Sequence, residues 1–217
     1  MNGSSVRGSR CVSTLALILS TAIPVFGDVQ TFVVRDPENR NVVTFESRAP
    51  LENIHGTTHA VRGSLRVDRE DLTWCAGELT IPLDSFDTGI VLRNTQMRDH
   101  YLETDRYPEV VFQVVKVVSA DPPRLLIGKP SHIVLEGVVR MHGVERRERV
   151  EVTATYFAES DETRLKLPGN LLRIDAAFSV VLGDYGIPIP KLVALQLDEK
   201  VSIRVDVTAS DEPQTQE

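Results

Sequence analysis

The feature that most constrains this chain is a strict alternation of apolar and polar residues over several long segments. Val61, Gly63, Leu65 and Val67 interleave with Arg62, Ser64, Arg66 and Asp68. Ile133, Leu135, Gly137, Val139 and Met141 share one parity, while Glu136 and Arg140 fall on the other. Val150, Val152, Ala154 and Tyr156 alternate with Arg149, Glu151, Thr153 and Thr155, and the same rhythm runs from Lys200 to Ala209. A period of two sends each apolar set to one face of a β-strand. Weaker alternation occupies residues 42–49, 73–83, 110–118 and 171–182. About eight strands result, with turn residues between them and no helical period beyond a few turns. Strands apolar on one face and wet on the other, joined by short connections, predict an antiparallel meander. Closing it removes the exposed edges. The expected fold is therefore all-β, an antiparallel barrel of about eight strands.

Two segments interrupt the rhythm, and both are expected to shape a binding mouth. Residues 84–108 offer Thr95 as the cap of a short helix that turns Met97, Tyr101 and Leu102 toward the barrel. Gly183 to Pro190 contains two prolines and two glycines, which forbid a regular strand.

Residues 1–27 read as a cleavable signal peptide. Arg7 and Arg10 precede an apolar run from Val12 to Phe26, and Val25 and Gly27 supply the small residues of a cut before Asp28. The expected organisation is a leader at 1–27, one barrel domain at 28–210 and a disordered polar tail at 211–217. The expected location is periplasmic or secreted, with no stable membrane span after cleavage. Lys and Arg number 24 against 31 Asp and Glu, for a net charge of −7. That balance argues against nucleic acid and against docking on anionic lipid. Cys75 stands alone beyond the leader and reads as a small buried hydrophobe.

An eight-stranded barrel is either filled by its own side chains or left hollow. Gly63, Gly77, Gly137, Ala154 and Ala176 share the apolar parity of their strands. Small inward residues leave room for an elongated guest; equally, the glycines serve as bends that help closure. Parity names Phe45, Leu65, Leu79, Phe112, Leu135, Gly137, Tyr156, Phe178 and Ile203 as lumen residues. On this reading, Gly137→Phe weakens uptake of such a guest without unfolding the barrel.

Catalytic chemistry finds no support, and neither a catalytic residue nor a metal ligand is assigned. No Gly-x-Ser-x-Gly, His-Glu-x-x-His or phosphate-cradling loop is present. His55 and His59 share a strand parity but lack a third ligand, and they read as turn residues, as does His142. Arg93, Arg98 and His100 are the polar candidates for the mouth. Arginine suits an anionic or carbonyl-bearing group, although an ion pair with Asp99, Glu103 or Asp105 would equally account for it.

Several motifs, taken in order, resemble the YceI-like, polyisoprenoid-binding, lipocalin-like proteins. They are Val43-x-Phe45, Val61-x-Gly63-x-Leu65, Ile81-x-Leu83-x-Ser85-Phe86-x-Thr88-Gly89, Arg93 with Met97-Arg98 and Tyr101-Leu102, Tyr107-Pro108-x-x-x-Phe112, Leu135-x-Gly137 with His142-Gly143-Val144, and Asp184-Tyr185-Gly186-Ile187. The resemblance spans about residues 29–209. It implies a lipocalin-like barrel that binds an isoprenoid lipid, of polyprenyl or quinone type, without catalysis. The cell envelope is the implied setting, and no cofactor beyond such a lipid is expected. Many members carry His where this chain has Gln96, so a role for that imidazole does not transfer. A homodimer is compatible with the sequence. The alternative is a protein-interaction module with a side-chain-filled barrel.

Overall fold

The computed structural model describes residues 29–191 and 194–212. The expected leader and residues 213–217 of the expected tail lie outside the described residues. Ten strands form: β1 (Val29–Val34), β2 (Val42–Arg48), β3 (Asn53–Thr58), β4 (Arg62–Asp68), β5 (Cys75–Pro82), β6 (Glu109–Asp121), β7 (Pro130–Met141), β8 (Val144–Phe157), β9 (Leu171–Val181) and β10 (Lys200–Ser210). All pairings are antiparallel, in the order β1-β4-β5-β6-β7-β8-β9-β10-β2-β3, and a β1–β10 contact closes the ring.

Eight strands and ten segments are the same structure counted differently. β1 and β2 are halves of one interrupted strand against β10, joined through Val33↔Ser210 and then Val42↔Asp206 to Ser47↔Val201. β3 and β4 are halves of a second, lying on β2 and β1. Each interruption has a local cause. Asp36 bends the first, because its carboxylate accepts from the backbone N–H of Glu38 at 3.0 Å and of Arg40 at 2.9 Å. In the second, the Thr58 hydroxyl accepts from Ala60 N–H at 3.0 Å. The longest wall is the β7–β8 hairpin, whose turn places His142 and Gly143 at φ 52° and 76°. Two positive φ values fit the right-handed twist of a two-residue hairpin.

The β5–β6 ladder is short. These strands pair only from Glu78↔Gln113 to Pro82↔Glu109. Below that, Cys75 to Gly77 pair with β4 alone, and Val114 to Asp121 pair with β7 alone. Register shifts at Val114/Lys116 and Val117/Ser119 insert Val115 and Val118 as extra residues, and both are exposed.

The two ends of the barrel differ. At the base, Leu72 N–H donates to Pro123 at 3.0 Å and Leu125 N–H to Arg69 at 2.8 Å, which knits two loops under the lumen. Asp211, expected in the disordered tail, instead accepts from the N–H and Nδ2 of Asn170, both at 2.7 Å. At the other end lie residues 83–108, 182–191 and 194–199. Helix α1 (Val91–Gln96) starts after Ile90, not at Thr95, and runs into a π-turn, Met97–Tyr101. Thr95 therefore sits inside the helix. Buried Asn94 fixes the approach: its Oδ1 accepts from Thr88 N–H at 2.9 Å and its Nδ2 donates to Asp87 at 2.7 Å. A second short helix, α2 (Asp161–Arg164), belongs to the base and is capped by Ser160.

Candidate functional site

The barrel is hollow. A cavity of about 490 Å3 runs from α1 to Leu72 and Leu125. Within the range of small-ligand sites, it is walled mainly by Val, Leu, Ile and Phe from both sheet and connections. Phe45, Leu65, Leu79, Phe112, Leu135, Phe178 and Ile203 all line it, as parity predicts. So do Met97 and Tyr101 of the π-turn and Leu102 just after it.

Two expected lumen residues are elsewhere. Tyr156 is fully buried in the base and does not face the cavity. Its ring meets Phe32 edge-on at 6.3 Å and takes the Arg69 guanidinium at 4.0 Å. Parity gave its face correctly, but says nothing about height along the barrel axis. Gly137 is covered by Phe112, whose ring lies 2.3 Å from where a Cβ would be. Phe45 covers Gly56 in the same way, and Leu79 and Leu65 crowd Gly63 and Gly77. The glycines therefore do not open the lumen directly. They let a large neighbour lie flat against the wall, while Ala154 and Ala176 do border the cavity. Gly137→Phe would drive into Phe112 and the Gln113 carbonyl, so it disturbs the wall rather than filling the hollow.

Polar groups gather at the α1 end: Glu52, Thr88, Arg93, Gln96 and Gln196. Of the three expected mouth residues, Arg93 lines the cavity. Its partner is Glu52, not an acid of its own helix. Its Nε donates to the Thr88 hydroxyl and its Nη2 to the Thr88 carbonyl, each at 2.9 Å. Arg98 and His100 do not line the cavity; Arg98 Nε is buried without a hydrogen-bond partner, and His100 is exposed. The helix cap is Ile90, five residues before the expected Thr95. Glu78 borders the cavity at the β5–β6 seam and pairs with Arg140 at 3.3 Å.

Sequence reasoning missed Glu52, Ile90, Leu92 and Gln196, because connections carry no period to read. Cys75 lines the wall, and burial pushes its thiol up to about 11, so it is neutral at ordinary pH. His55 is exposed 3.6 Å from Glu46, and His59 Nδ1 contacts the Asn41 carbonyl at 3.0 Å. His142 is packed rather than solvated, with its ring 4.4 Å from Tyr107 and Nδ1 3.1 Å from the Tyr185 carbonyl. Among the described residues, no three His, Cys, Asp or Glu side chains converge as a metal site would need. No described helix is long and apolar enough to cross a membrane.

The fold has known counterparts. BcnA of Burkholderia cenocepacia superposes with a TM-score of 0.63 at 14% identity, covering 81% of this chain and 100% of its own. A polyisoprenoid binding domain from Saccharophagus degradans, implicated in plant cell wall breakdown, gives 0.61 at 16%, covering 84% and 99%. The Campylobacter jejuni YceI protein gives 0.59 at 11%, covering 93% and 100%. No curated protein matches this sequence. At such identities the superpositions establish the fold alone. The pattern of the YceI-like domain, however, matches residues 34–209, from the end of β1 to the end of β10. This chain belongs to the YceI-like family.

Proposed function

We propose that the protein holds an isoprenoid lipid in its lumen, as a carrier or buffer in the cell envelope, without chemical change to it. One observation carries the reading: an apolar hollow along the barrel with its polar residues gathered mainly at one end. That arrangement suits an amphipathic chain with its tail inside and its head at the mouth. Each buried CH2 of the tail gains about 0.8 kcal/mol, so several prenyl units offset the cost of association. Family membership and the polyisoprenoid-binding counterpart support lipid as the ligand class. Export rests on the leader-like residues 1–27. The side-chain-filled alternative loses its premise, because the lumen is open.

Ala176 faces the cavity from the middle of β9 and pairs with Val152 and Val205. Ala176→Trp should weaken uptake of a fluorescent farnesyl probe at least tenfold, with the β-sheet circular dichroism retained. Undiminished uptake by the folded variant, or none by the wild type, refutes the proposal.

A further inference from the structure

The geometry points to a ligand whose head group is uncharged, a prenyl alcohol or quinone rather than a prenyl diphosphate. This deepens the reading above and rests on it.

A diphosphate needs cations whose hydrogen-bonding forks are free to receive it. Arg93 is the single cation among the described residues that line the cavity. Its guanidinium is already engaged on three sides, by the Glu52 carboxylate, the Thr88 hydroxyl and the Thr88 carbonyl. The ion pair also fixes the mouth mechanically, since Glu52 lies between β2 and β3 while Arg93 belongs to α1. Charge at the entrance is thus balanced internally. A diphosphate arriving there would meet the Glu52 carboxylate, beside an apolar lumen where like charges repel more strongly than in water.

A neutral head group faces no such conflict. A quinone carbonyl or an alcohol oxygen can accept from the remaining guanidinium N–H groups or from the amides of Gln96 and Gln196, which also line the mouth. Arg98 offers no second anion site, because its side chain does not line the cavity.

The test compares farnesol and farnesyl diphosphate, which share one tail, against the full chain and Glu52→Gln. The wild type should bind farnesol at least tenfold more tightly. Glu52→Gln keeps the side chain's size and frees the guanidinium, so diphosphate affinity should rise at least tenfold while farnesol affinity changes less than threefold. Arg98→Ala should leave both unchanged. Equal or tighter diphosphate binding by the wild type overturns the inference, as does a Glu52→Gln variant that binds farnesol normally but gains nothing for diphosphate. Failure of the wild type to bind either probe refutes the lipid-holding proposal instead.

Discussion

The two ends of this barrel solve opposite problems with the same strands. The base is sealed: Tyr156, Phe32 and Val34 are fully buried there. Its loops are bonded to one another, and Arg40 reaches across to the Lys166 carbonyl at 2.6 Å. The mouth has a buried cluster of its own, with Tyr185, Ile187 and Val201, but an apolar rim stands open around the entrance. Leu51, Ile90, Val91, Leu92 and Leu195 are each at least half exposed there, Val91 to 83%. Leu51 N–H bonds the Leu195 carbonyl at 2.9 Å, so the residues share one rim. Apolar area that would stabilise the fold if buried is instead left around the entrance. Both ends contribute buried clusters, but the open apolar rim places access at the mouth.

Substitutions can break that contrast. The largest effect should come from Tyr156→Ala, which leaves a void beneath Phe32 and removes the stacking partner of Arg69. A loss of about 3–5 kcal/mol is expected in urea unfolding. A cost under about 1 kcal/mol would mean that the base is not the anchor.

Asp36 should come next. Hydrogen bonds from Arg40, with the backbone N–H groups of Glu38 and Arg40, hold its carboxyl at about 2 against an ordinary 3.8, despite opposing burial. A lowered native value stabilises the fold above the ordinary one, and that stabilisation is lost as pH falls through about 4 to 2. Asp36→Asn should cost about 2 kcal/mol at pH 7, and the gap should close toward pH 2. A gap that persists to pH 2 in denaturant titrations would assign the effect to packing instead.

The smallest effect belongs to the rim. Leu51→Asp and Val91→Asp should each shift stability by less than about 0.5 kcal/mol, because neither side chain leaves a core on substitution. A loss comparable to that of Tyr156→Ala would dissolve the distinction between the ends.

The legibility of this architecture follows from what alternation encodes. β7, β8 and β10 are fully laddered, and a regular ladder imposes a clean period of two. β6 alternates weakly because its two register shifts each insert a valine that flips the parity. β1 was missed although Phe32 and Val34 are buried, because only those two inward positions are completely covered before Asp36 bends the chain. β3 was missed because its inward residues, Ile54, Gly56 and Thr58, are mostly not large and apolar. Thr58 instead bonds the Ser85 hydroxyl at 2.6 Å, and Phe45 fills the space over Gly56. Parity therefore found the wall of the cavity. It could not find the floor or the rim, which are built from connections, nor Glu52, which meets Arg93 from 41 residues away.

A lumen that is an oily hollow should retain its lipid through purification. The most direct test of lipid in the lumen is mass spectrometry of the organic extract of protein purified without detergent. A near-stoichiometric isoprenoid, released on denaturation and absent from an Ala176→Trp preparation handled identically, is the predicted result. Extracts free of lipid, from protein that also fails to take up farnesol, would contradict it.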